Sequence, residues 1–135
     1  LEPLRAGLTP ADIAESVMIG VSGPGFSGPD FDLAVAAMER LTPGAYEDAV
    51  RCLPDHDVRD ALATIGVPTL VVVGELDPST PPNVARLLAA GIPNASFVEM
   101  PGIGHLTPNE APQEFNRLVR EFLEAQEPTT EGTGS

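Results

Sequence analysis

Lysine and tryptophan are absent from this 135-residue chain, which also holds one cysteine, one tyrosine and five phenylalanines. The single cysteine, Cys52, cannot close an internal disulfide, so no covalent crosslink supports the fold and a reducing, cytoplasmic setting is expected. Basic groups are scarce too: seven, all arginine, stand against 20 carboxylates, for a net charge of -13. Such a field repels phosphate backbones and anionic membrane surfaces, which argues against nucleic acid and membrane as partners. No uninterrupted apolar run approaches the ~20 residues that a membrane span requires, and no signal-peptide pattern stands at the start. The first residue is Leu1 rather than methionine, which suggests a piece of something longer.

Proline and glycine, by contrast, are plentiful and punctuate the chain into segments. At this length one ordinary domain with a real core is expected. Residues 1–54 read as helical. Thr9 and Pro10 form an N-cap and first-turn pair ahead of "ADIAESVMIG", and "FDLAVAAMERL" and "AYEDAVRCL" are short amphipathic helices divided by "TPG". Between them "GVSGPGFSGPD" is a loop. Residues 55–125 alternate instead. "DVRDALATI" reads as a helix ended by Val67-Pro68, and "TLVVVGE" is the nearly unbroken apolar run of a parallel strand covered on both faces. "PPNVARLLAAG" is a helix, "ASFVEM" a second strand and "APQEFNRLVREFLEA" a last helix. This βαβα order predicts an α/β fold with parallel strands. The polar tail, residues 126–135, is expected to be disordered.

In open parallel sheets chemistry collects beyond the carboxyl ends of the strands. Asp77, in "GELDPSTPP", follows the first strand, and His105, in "MPGIGHL", follows the second. Neighbouring parallel strands would bring both to one sheet edge. An imidazole suits proton transfer near neutral pH, and a carboxylate beside it fixes its tautomer. Asp77 also has a plainer reading as a cap for the helix after Pro78 and Ser79. Glu75 is a nearby substitute for the acid.

The stretch "VPTLVVVGELDPSTPP…IPNASFVEMPGIGHLTPNEAPQEFNRLVREFL" resembles the C-terminal portion of an α/β-hydrolase of the enol-lactonase, carboxylesterase and proline-iminopeptidase type. The resemblance covers residues 55–124 well, while the helical start is more weakly similar to the family's inserted lid. It rests on G-x-x-D-x-x-x-P after a β-run together with P-x-x-G-H before a helix. The resemblance implies a partial α/β-hydrolase fold, with Asp77 as triad acid and His105 as triad base. It also implies a small acyl substrate (an ester or lactone) and no metal or organic cofactor.

The family's order is nucleophile, acid, histidine, so a G-x-S-x-G elbow should precede Asp77. None does. "GVSGP" and "GFSGP" carry proline where the last glycine belongs, and neither Ser22 nor Ser27 follows a strand. The oxyanion-hole segments have no counterpart either. Two function classes follow. In one, the chain supplies acid and base to a nucleophile on an N-terminal hydrolase half. In the other, it is an inactive remnant that serves as a binding or assembly module. Either way the open edge of residues 69–75 would take up a missing half or a second copy.

Other residues have ordinary readings. His56 sits among carboxylates and is expected to be solvated; adjacent Asp55, His56 and Asp57 do not easily converge on one metal ion. Cys52 reads as a small core residue, and Glu110 as a helix-start carboxylate favoured by the macrodipole. Phe26, Phe31, Met38 and Tyr46 fit an acyl pocket under the lid and lid packing equally well.

Overall fold

Proline opens most of the helices, because its missing N–H and fixed φ suit the first turn. The computed structural model describes residues 6–53 and 57–127. In chain order it contains α1 (Pro10–Val21), α2 (Pro29–Glu39), α3 (Pro43–Cys52), α4 (Arg59–Leu62), β1 (Thr69–Gly74), α5 (Pro82–Gly91), β2 (Ala95–Met100), α6 (Thr107–Glu110) and α7 (Pro112–Glu124). Helix α1 starts with a capping box: the Thr9 hydroxyl accepts from Asp12 N at 3.4 Å and Thr9 N donates to the Asp12 carboxylate at 2.7 Å. Thr42 caps α3 on one side only, accepting from Ala45 N.

Strands β1 and β2 pair in parallel from Thr69↔Ala95 to Gly74↔Met100, so both end level with each other. Helix α5 makes the crossover between them and covers one face, where Ala85 and Ala89 pack on Val71, Val73 and Phe97. Period-two alternation sends Leu70 and Val72 to the other face. There they meet Phe115, Val119 and Phe122 of α7 across a groove of about 430 Å³. Polar Glu114, Arg117 and Glu121 pair along the outside of α7, where exposed ion pairs contribute little. Among the described residues the sheet has only these two strands, and each keeps an open edge. The α/β class with parallel strands is therefore what the molecule shows.

Two local expectations are corrected, and one short helix is added. The helix read over residues 57–65 is a single turn, α4, because Thr64 N and Ile65 N bond three residues back and wind the chain into tight turns. Helix α6 lies in a stretch to which the sequence pattern assigned no element, with Pro108 in its first turn. Cys52 is exposed rather than core: it ends α3, and no residue of that helix is buried. His56, Asp55 and residues 128–135 of the tail lie outside the described residues.

Candidate active site

Because β1 and β2 end level, the loops that follow them leave the sheet side by side. The first loop folds around its own aspartate. Asp77 Oδ1 accepts from Ser79 N at 2.8 Å and Thr80 N at 3.0 Å, so the side chain caps the turn that leads towards α5. The other oxygen, Oδ2, accepts from the Thr80 hydroxyl at 2.8 Å and from His105 Nδ1 at 2.8 Å. Asp77 therefore caps its own turn rather than the helix, whose N-cap is Pro81 with no side-chain bond, while Oδ2 faces the imidazole. The Asp77 side chain is 4% exposed and the His105 side chain 39%. The carboxylate is buried while the imidazole reaches the surface.

An ionised carboxylate only accepts, so the proton of the Asp77–His105 bond sits on Nδ1 and leaves Nε2 of the neutral ring as an acceptor. Nε2 is then the nitrogen available to take a proton. Burial by itself would raise the Asp77 pKa, but hydrogen bonds from His105, Thr80 and Ser79 outweigh it and hold the carboxyl below its ordinary value. The stability this contributes is fully present above the ordinary value of 3.8 and is lost as pH falls through the lower folded value. Melting temperature should therefore drop below about pH 4, and Asp77→Asn, which cannot titrate, should show a shallower drop over that interval. Equal slopes in thermal melts from pH 2 to 5 would show that the Asp77 pKa is not depressed.

The histidine turn is held by backbone seated on backbone. His105 N donates to Val21 O at 2.8 Å, and Leu76 N donates to Ile103 O at 2.9 Å. A Cβ on Gly104 would lie 2.4 Å from Gly23 N and 2.6 Å from Val21 O, so only glycine lets the α1–α2 loop approach this closely. Two carboxylates grip the turn from either side. Glu75 accepts from Gly102 N at 2.8 Å, which ties the alternative acid to the backbone and away from the imidazole. Glu110 accepts from Gly23 N and Gly104 N, both at 2.8 Å, and from Leu106 N at 3.0 Å. It ends α6 and binds these three amides, which a helix-start reading did not foresee.

Beside the turn, Leu106 and Asn109 join Val17, Met18, Met38 and Tyr46 in lining an apolar groove of about 590 Å³ bounded by α1, α2 and α3. The volume lies within the usual ~300–1,000 Å³ range for small-molecule sites. Met38 and Tyr46 therefore line it, whereas Phe26 and Phe31 pack edge to face on each other, 5.7 Å between centroids, outside it. Ser22 ends α1 and Ser27 lies in the following loop, so neither sits on a strand–turn–helix elbow. Among the described residues no cluster of three or more His, Cys, Asp or Glu side chains could hold a metal ion. Among the same residues no helix is long and apolar enough to cross a membrane.

The family model for TAP-like proteins, an α/β-hydrolase group, matches residues 49–134, more than half of the chain and the span that contains both Asp77 and His105. The chain belongs to this family. Among characterised relatives, it is 39% identical over 70 residues to a proline iminopeptidase of Thermoplasma volcanium, covering 52% of this chain and 23% of that protein. It is 31% identical over 120 residues to 3-oxoadipate enol-lactonase 2 of Acinetobacter baylyi, covering 87% of this chain and 44% of that one. Among solved structures, a thermophilic esterase from Thermogutta terrifontis with malate bound superposes with a TM-score of 0.76 at 28% identity, over 86% of this chain and 44% of the esterase. The α/β-hydrolase fold is thereby established, and the chain spans less than half the length of each of these proteins.

Proposed function

We propose that these residues form the acid–base part of an acyl hydrolase, with Asp77 orienting His105 and His105 accepting the proton of a nucleophile carried outside them. The observation that carries the reading is the 2.8 Å Nδ1···Oδ2 bond at the level ends of β1 and β2, with Asp77 buried and His105 exposed. In the forward step Nε2 takes the nucleophile's proton as it attacks the acyl carbon; the imidazolium then protonates the leaving group, and in the second half-reaction His105 activates water. Asp77 stabilises the imidazolium in both halves. The substrate class supported by the relatives is a small ester or lactone, with its apolar part in the groove beside Leu106. Helices α1–α3 act as its lid. The completing partner is a hydrolase half that bears the nucleophile elbow and pairs with the open edge of β1.

A second reading has one observation in its favour: among the described residues the one serine between a strand and a following helix, Ser79, lies in the Asp77 loop and not in a G-x-S-x-G elbow, so the chain by itself is an inactive binding or assembly module. One assay separates the two. The 135-residue chain alone should not hydrolyse a short-chain aryl ester above background. Mixed with a separately produced hydrolase half that carries a G-x-S-x-G elbow, it should turn the ester over, and His105→Ala should abolish that turnover. A mixture that forms a complex yet stays at background favours the module reading. Turnover by the chain alone that His105→Ala removes would overturn the need for an outside nucleophile.

A further inference from the structure

Three consecutive amides or carbonyl contacts fix the backbone around His105, and two of them come from one side chain. Glu110 takes the N–H groups of Gly104 and Leu106, which flank the histidine, while His105 N is held by Val21 O. The same Glu110 oxygen that holds Gly104 N also takes Gly23 N, from a segment 87 positions away in sequence. Gly23 is buried, and a Cβ there would lie 2.6 Å from Gly102 O and 2.9 Å from the Glu110 carboxylate. The α1–α2 loop therefore touches the histidine turn at Val21, Ser22 and Gly23, and one carboxylate closes the contact.

From this geometry we infer that Glu110 is a positioning residue that joins the α1–α2 loop and the histidine turn into one unit, so that the helical segment and His105 move together. Its carboxylate has two acceptor oxygens, and it uses Oε2 for two amides and Oε1 for the third. Hydrogen bonds to an ionised group are the stronger kind, and a charged acceptor serves three donors where a neutral amide cannot. Glu110→Gln keeps the volume but turns an N–H₂ towards at least one of the three amides. Any displacement of α1 is transmitted to the backbone on both sides of the imidazole, and hence to the Asp77–His105 bond. The role assigned to His105 rests on the proposed function; the mechanical link does not.

Glu75 supplies the internal comparison. It holds the same turn through Gly102 N, and among the described residues it has no hydrogen bond to the α1–α2 loop. Amide hydrogen exchange by mass spectrometry, on the full chain and its Glu110→Ala, Glu110→Gln and Glu75→Ala variants, reads both segments separately. In Glu110→Ala, residues 19–26 and 101–106 should both exchange about tenfold faster. In Glu75→Ala only residues 101–104 should do so. Protection across β1 reports whether each variant is folded, and if Glu110→Ala loses it, Glu110→Gln decides, with a smaller acceleration of both segments. Hydrogen exchange at the imidazole C2 position reads the ring itself. In the folded Glu110 variants the His105 rate should depart from its wild-type value. Unchanged protection of residues 19–26 in a folded Glu110 variant overturns the link. An unmoved His105 ring rate, with both segments loosened, leaves Glu110 a structural clamp and overturns its positioning role.

Discussion

Asp77→Asn should lower kcat by about four orders of magnitude in the chain completed with a nucleophile-bearing half, while leaving the fold intact. The amide is close in size to the carboxylate, and its oxygen can still accept from the Ser79 and Thr80 amides that Oδ1 holds now. Its nitrogen then faces His105 Nδ1 as a donor, in place of the acceptor at 2.8 Å. The ring would be driven to the tautomer with its proton on Nε2, the nitrogen that has to receive one. Steady-state kinetics on an aryl ester, with circular dichroism as the control for folding, measures this. A loss below about tenfold would mean that another carboxylate orients the ring. Glu75 is poorly placed for that, since it is engaged by Gly102 N.

Gly74→Ala should produce the largest loss of stability of any glycine-to-alanine change among the described residues. Gly74 ends β1 under the histidine turn, and a Cβ there would lie 2.1 Å from Gly104 O and 2.3 Å from Ile103 O. Both neighbours are backbone, and both belong to a turn that is pinned in turn by Leu76 N, Val21 O and Glu110. No flexible side chain can give way. Overpacking of this kind costs about 3 kcal/mol or more where the surroundings cannot relax. Gly20 is the comparison, since it lies within α1 with nothing within 4 Å of an added Cβ. Gly20→Ala should stabilise by about 0.5–1 kcal/mol through helix propensity and unfolded-state entropy. Urea melts of the two variants give the contrast directly; a Gly74→Ala midpoint equal to wild type would show that the turn does not sit on β1 as described.

Which parts of this were legible in the sequence follows from the range of the forces involved. "TLVVVG" and "ASFVEM" were readable because strand pattern and Gly-Pro punctuation are local, and a level parallel register then brings Asp77 and His105 together without further information. The Thr9 cap was legible for the same reason. Helix α4 was overextended because apolar spacing in residues 57–65 says nothing about the bonds of Thr64 N and Ile65 N that close it early. Cys52 was misplaced because burial of a helix depends on a neighbour to cover it, and α3 buries no residue. Glu110 reads in the sequence only as a helix-start carboxylate, and its grip on three amides was the chief omission. Its three partners are backbone amides, identical at every residue, and Gly23 reaches it only through the tertiary fold. The sequence shows only that glycine stands at 23, 74 and 104; that none of the three has room for a Cβ, because three backbones meet there, is a property of the fold.

The central claim is that Asp77 and His105 form a preorganised acid–base pair with the proton on Nδ1. The most direct test is ¹⁵N NMR of the histidine rings in the chain labelled at histidine, above the ring's titration range, with His56→Asn used to assign His105. The expected spectrum shows a single neutral tautomer for His105, with Nδ1 protonated and hydrogen-bonded and Nε2 free to accept, and Asp77→Ala abolishes that preference. A His105 ring that averages between tautomers, or carries its proton on Nε2, equally in wild type and Asp77→Ala, would contradict it.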